Sequence, residues 1–123
     1  MDSAETIVAI DDDPDFREAL RTFLGAYGFE VVVARNGSEG LDALRRHPDA
    51  GLVLLDLSMP GFDGRRFREE QSRDAAIAKV PVLVLSGEDD GARVAREIGA
   101  EEFALKPVTA SSLMNLIHRH IRA

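Results

Sequence analysis

Three charged stations stand directly after short apolar runs. Asp11-Asp12-Asp13 follow Ile7-Val8-Ala9-Ile10, Asp56 follows Leu52-Val53-Leu54-Leu55, and Lys106 follows Phe103-Ala104-Leu105. Runs of that length are strand-sized, and in a sheet of parallel strands the carboxyl ends share one edge, where ligands bind. Carboxylates converging there make a site for a hard, oxygen-seeking cation, and a nearby ammonium pairs with an incoming anion.

The elements that must position these groups can be read along the chain. Thr6 to Ile10, Glu30 to Ala34, Gly51 to Leu55, Val82 to Leu85 and Glu102 to Leu105 read as strands. Helix-length amphipathic stretches separate them, and this alternation predicts an α/β domain built on a parallel sheet. The first helix begins with Asp13 as N-cap and Pro14 as first helical residue, where a missing N–H costs nothing. Phe16, Leu20, Phe23, Leu24 and Tyr27 form its apolar stripe and Gly28 its stop. The second helix opens at Asn36-Gly37, carries Leu41 and Leu44 and ends at His47-Pro48. The loop from Ser58 to Gly64 leads into a charged helix through about Ser72. Asp90 to Ile98 reads as a short helix weakened by Gly91 in its first turn. A last helix begins near Thr109 and carries Leu113, Leu116, Ile117 and Ile121. Residues 1–123 read as a single domain with its core over about 6–121, without repeats or linkers.

Composition closes off several classes. There is no cysteine, which removes disulfides, thiolate zinc sites and cysteine nucleophiles. The longest apolar run, Val80 to Leu85, falls far short of the roughly 20 residues that span a bilayer. The first residues carry no basic and apolar signal pattern, so a cytoplasmic protein without membrane insertion is expected. A net charge of −7 opposes direct nucleic-acid binding. The one basic cluster, Arg65, Arg66 and Arg68, reads as a solvated helix face. His47, His118 and His120 read as surface residues, the last two near the dipole of the final helix.

Four of the five strand ends carry a polar group: Asp11 and Asp12, Asp56, Ser86 and Lys106. A lone Asp after a strand is usually a helix cap and a lone Lys is usually solvated; the joint pattern is far more specific. Asp12 and Asp56 can supply oxygens to Mg²⁺, or Mn²⁺, with the Ser58 backbone carbonyl completing the protein's share and Asp11 acting through water. Crowded carboxylates repel and raise the pKa of at least one, which Lys106 offsets in part. A carboxylate so placed can act as a nucleophile and form an aspartyl-phosphate, aided by charge neutralisation from metal, Lys106 and the Ser86 hydroxyl.

In these motifs the chain resembles the response-regulator receiver domains of two-component signalling. The similarity runs from Ile7 to Ile121. It rests on Val8 to Asp13, Leu54 to Gly64, Val84 to Gly87 and Gly99 to Pro107, in order and correctly spaced. The resemblance implies a doubly wound, flavodoxin-like (βα)5 fold with strand order 2-1-3-4-5. It makes Asp56 the phosphoacceptor, Asp11 and Asp12 the acidic pair that organises Mg²⁺, and Lys106 the partner of the phosphoryl group, with the Lys106–Pro107 bond commonly cis. Ser86 matches the hydroxyl that turns toward the phosphoryl group, and Phe103 the switch aromatic. Ser58 and Glu88 occupy positions that influence phosphoryl lifetime.

The implied partners are a histidine kinase or histidine phosphotransfer protein, and a downstream protein at the face of the fourth helix, fifth strand and fifth helix. A monomer or a phosphorylation-dependent dimer fits this reading. Such a protein is not a conventional enzyme; it catalyses its own phosphorylation and slow dephosphorylation. The chain departs from the family pattern at Gly87, where Ala is more usual, at Phe103 in place of Tyr, and at Val108, where Phe is common.

Competing motifs fail at named positions. Asp11, Asp13 and Asp15 mimic the start of an EF-hand loop, but Phe16 stands where glycine is required and Thr22 at the twelfth position. Haloacid-dehalogenase-type phosphatases carry a second Asp two residues after the nucleophile; here that residue is Ser58. The alternative function is a phosphorylation-independent pseudo-receiver that serves as an interaction module. Such modules usually lack the acidic pair, the nucleophile or the lysine, all of which are present here.

Overall fold

The computed structural model describes residues 5–59, 64–87 and 90–121. Among these, β1 (Thr6–Ile10), β2 (Glu30–Ala34), β3 (Leu52–Asp56), β4 (Val82–Ser86) and β5 (Glu102–Leu105) form one parallel sheet. The strand order is β2-β1-β3-β4-β5. The helices are α1 (Pro14–Ala26), α2 (Gly37–Arg46), α3 (Gly64–Arg73), α4 (Gly91–Glu97) and α5 (Ala110–His118). Chain order reverses at β1, which lies between β2 and β3, so a crevice opens beyond the carboxyl ends of β1 and β3. Asp11 and Asp56 stand at that crevice.

The strands can be apolar throughout because helices cover both faces of the sheet, and successive side chains alternate between those faces. Ile7, Ala9, Leu52, Leu54, Leu83, Leu85 and Ala104 pack with Leu20 and Leu24 of α1 and Leu113, Met114 and Ile117 of α5. Val8, Ile10, Val53, Leu55, Val82 and Val84 pack instead with Leu41 and Leu44 of α2, Phe67 of α3 and Ala95 of α4. Two cores therefore sandwich the sheet, and alternation decides which one each strand-end residue joins.

Helix ends follow the expected chemistry. The Asp13 side chain accepts from the Asp15 N–H at 3.0 Å, and Pro14 occupies the first turn. Asn36 caps α2 by accepting from the Glu39 N–H at 2.8 Å, while Glu39 reaches back to the Arg35 N–H at 2.9 Å. A second pairing of Glu39, with the Arg35 guanidinium, holds its carboxyl at about 2. Gly28 takes a φ of 92° after α1, the left-handed conformation in which a side chain is strained.

Several boundaries and environments differ from the sequence reading. β3 and β4 each reach one residue further, because Asp56 pairs with Leu85 and Ser86 with Leu105 in the ladder. α4 is shorter by a residue at each end, and Ile121 is buried beyond the end of α5 rather than on it. Tyr27 is half exposed, edge-on to Phe23, instead of joining the apolar stripe. His120 is not a surface residue: it meets the Glu102 carboxylate at 3.1 Å, which Arg119 also grips at 3.1 Å.

The basic cluster of α3 is likewise not a uniformly solvated face. Arg65 pairs with Glu97 across to α4. Arg68 is mostly covered, and its guanidinium donates to the carbonyls of Ile98 at 3.1 Å and Gly99 at 2.9 Å and to Gln71 Oε1 at 2.8 Å. Gln71, fully buried, in turn donates to the carbonyls of Ile77 and Val80 at 3.1 and 2.9 Å. Glu101 closes the network by accepting from the Val82 N–H at 2.8 Å. These side chains fix where β4 begins, and thereby where Ser86 ends it. Gln71→Ala removes the side-chain donor to the Val80 carbonyl and leaves the Ile77 carbonyl with its bond from the Val80 N–H, and is expected to cost about 1–3 kcal/mol of stability. Urea unfolding with an unchanged m-value checks this.

Candidate functional site

At the carboxyl edge of the sheet, Asp11, Asp12 and Asp56 each bring a carboxylate oxygen within 4.8 Å of the others. Asp11 and Asp56 are buried and Asp12 is exposed. Alternation explains the pairing. Asp11 follows Ile10 on the side of Ala9, Asp56 falls on the side of Leu54 and Lys106 on that of Ala104, so all three lie toward α1 and α5.

Lys106 ties the buried acids together. Its Nζ donates to Asp11 Oδ2 at 3.0 Å and lies 3.5 Å from Asp56 Oδ1, and it rests 4.3 Å from the centroid of the Phe16 ring. The backbone N–H of Lys106 donates to the Ser86 carbonyl at 2.9 Å, which carries the β4–β5 ladder on to the lysine itself. The remaining oxygen of Asp11 accepts from the Asp13 N–H at 2.9 Å, and the Asp11 carbonyl accepts from Arg17 at 2.9 Å. Asp56 Oδ1 also accepts from the Ser58 N–H at 3.0 Å. The Lys106–Pro107 peptide is cis.

Burial pushes the Asp56 carboxyl above its ordinary value of 3.8. Repulsion from Asp11 adds to this rise; the Ser58 N–H bond and Lys106 oppose it. The expected rise is therefore present, with desolvation rather than like-charge repulsion as its main cause.

Ser86 and Phe103 occupy the other side of the sheet edge. By alternation Ser86 follows Val84, and Phe103 packs against the core containing Val84 and Ala95. The reason that α4 begins with glycine is now visible. A Cβ at Gly91 would lie 2.8 Å from the Ser86 Cβ, 2.9 Å from its Oγ and 3.0 Å from the Phe103 ring. Gly91, which looked like a flaw in a helix, is what allows α4 to close over both side chains at once. Ser58 is exposed beside Asp56, and Gly87 has open space around it. Glu88, and Pro60 to Asp63 of the loop motif, lie outside the described residues. The sequence reading missed Phe16 as a neighbour of the site and took it only as part of the α1 core stripe. Its place in the first turn of a helix that starts at a strand end was the available signal.

The donor set suits a hard, oxygen-seeking cation: three carboxylates, one of them exposed, with an oxygen of each within 4.8 Å of the others. Asp11 is already engaged through both oxygens, which suits it to an outer place.

Comparison with known proteins agrees with this geometry. The model of the response regulator receiver domain matches residues 7–118. The chain is 29% identical over 121 residues to the two-component response regulator ORR5 of Oryza sativa subsp. japonica, covering 97% of this chain and 90% of that protein. It is 30% identical over 114 residues to the protein PilH of Pseudomonas aeruginosa, covering 91% and 93% of the two. The structure of the Vibrio cholerae chemotaxis protein CheY4 superposes with a TM-score of 0.86 over 97% of this chain and 100% of that one; at 22% identity this is a likeness of fold.

The raised Asp56 pKa gives a pH prediction. The unfolded chain releases this proton first as pH rises, so the group's contribution to stability is full below about 3.8 and is lost as pH climbs through the higher folded value. In metal-free solution Asp56→Asn is expected to unfold at higher denaturant than wild type at neutral pH. The gap should close as pH falls below the carboxylate range; denaturation midpoints across pH 3 to 7 measure it.

Proposed function

The chain belongs to the response-regulator receiver family, and from that premise we propose that it is a phosphoacceptor switch. It takes a phosphoryl group onto Asp56 from the phosphohistidine of a kinase or phosphotransfer protein. The observation that carries this reading is the lysine ammonium lodged between two buried carboxylates, 3.0 Å from Asp11 and 3.5 Å from Asp56, beside an exposed third carboxylate.

Among the described residues, Ser58 and Lys106 both engage Asp56 Oδ1, and Oδ2 is the oxygen that attacks phosphorus. The new O–P bond forms as the P–N bond to the donor imidazole breaks, and the imidazole departs with the electron pair and takes up a proton. The Lys106 ammonium exchanges its carboxylate contacts for the equatorial phosphoryl oxygens and neutralises charge there. Asp12, Asp56 and the Ser58 carbonyl, with Asp11 acting through water, would hold Mg²⁺, which would supply further charge neutralisation at those oxygens.

Once Asp56 is phosphorylated, the Ser86 hydroxyl turns toward the new oxygens and vacates space against Gly91, into which Phe103 can move. The phosphoryl group favours that state by the difference in its interaction energy between the two arrangements. The change emerges at the face of α4, β5 and α5, where Leu105 is already exposed, and this face is offered to the downstream partner. Hydrolysis is slow because no carboxylate stands two residues beyond Asp56 to activate the attacking water as general base; Ser58 stands there, and with Glu88 it sets the lifetime.

With acetyl phosphate and Mg²⁺, wild-type protein is expected to gain one phosphoryl mass, and Asp56→Asn none. Chelation of the metal should abolish the gain. A wild-type protein that gains no mass under these conditions is instead a phosphorylation-independent interaction module.

A further inference from the structure

Phe16 has two identities in this structure. Part of it belongs to the apolar core between α1 and the sheet, and its ring face lies under the Lys106 ammonium at 4.3 Å. The second contact is a consequence of position. Helical side chains lean toward the helix N-terminus, so a residue in the first turn of α1 leans over the strand edge from which α1 departs. Arg17, the next residue, reaches the same edge and holds the Asp11 carbonyl at 2.9 Å.

Resting on the phosphoacceptor reading above, we propose that Phe16 is a positioning residue for phosphoryl transfer, its ring face fixing the Lys106 ammonium where the phosphoryl oxygens arrive. Lysine is a point charge on a flexible four-carbon stem and does not hold a direction by itself. Among the described residues three anchors surround this ammonium, and two of them, the Asp11 and Asp56 oxygens, are groups that a bound cation would also engage. The third, the electron-rich face of the Phe16 ring, has no competitor for it. The ring's hold would therefore matter most with a cation bound at the carboxylates.

Site-specific replacement of Phe16 by mono-, di- and trifluorophenylalanine separates this role from packing. Each fluorine drains the ring face of negative potential while leaving the ring's shape and apolar character nearly intact. The rate of Asp56 phosphorylation by acetyl phosphate at saturating Mg²⁺ is expected to fall stepwise along the series, by about three- to tenfold in all, with the thermal midpoint unchanged. Phe16→Leu should fall at least as far, and Phe16→Trp should restore the rate. A second measurement needs no phosphorylation: the order parameter of the Lys106 ε-methylene, from ¹³C relaxation, is expected to drop along the same series. A flat rate in a protein whose wild type is phosphorylated overturns the role of Phe16 and leaves the switch standing. If wild type takes no phosphate, the switch reading fails instead. The order parameter then decides whether the ring holds the lysine, and no change along the series overturns it.

Discussion

The site hangs on one ammonium group. Asp11 and Asp56 are both buried, and two carboxylates at such a place repel each other and lose hydration. Lys106 supplies the opposing charge, at 3.0 Å to one and 3.5 Å to the other. Its own location is set by main-chain hydrogen bonding, since its N–H continues the β4–β5 ladder to the Ser86 carbonyl. Strand pairing therefore carries the cation to the acids and sets an opposing charge against their repulsion in a buried edge. A cation held this way is available to a different anion when one arrives, which is the property phosphoryl transfer needs.

Alternation along the strands divides the work of the sheet edge. Asp11, Asp56 and Lys106 fall toward α1 and α5, while Ser86 and Phe103 fall toward α4. The acid–lysine cluster and the Ser86–Phe103 pair thus occupy opposite faces of the same strand ends, separated by the thickness of one sheet. Gly91 matters on the α4 side because a Cβ there would lie within 3.0 Å of both Ser86 and Phe103, so one of them would have to shift. On the chemical side, α1 contributes Phe16 and Arg17 from its first turns, so each face has a helix N-terminal segment packed against its functional residues.

Much of this was legible before the structure. The strand bounds of β1, β2 and β5, the Asp13 cap and the convergence of Asp11, Asp12, Asp56 and Lys106 follow from apolar run lengths and the geometry of parallel sheets. What was not legible depends on partners distant in sequence. Asp56 and Ser86 join their strands because Leu85 and Leu105 pair with them. Arg68 and Gln71 look like any charged helix surface until the chain segments after α3 and α4 deliver carbonyls to them. Phe16 satisfied the helical stripe so well that its second contact was hidden, and Gly91 was judged by helix propensity alone.

The most direct measurement of the Lys106 claim is a double-mutant cycle between Asp11→Asn and Lys106→Met, by urea unfolding at neutral pH without divalent cations. If the ammonium makes the buried carboxylates tolerable, the two substitutions are strongly non-additive, with a coupling of about 1 kcal/mol or more. Additivity to within about 0.3–0.5 kcal/mol would contradict the account, because it would mean that Lys106 and Asp11 stand close together without depending on each other.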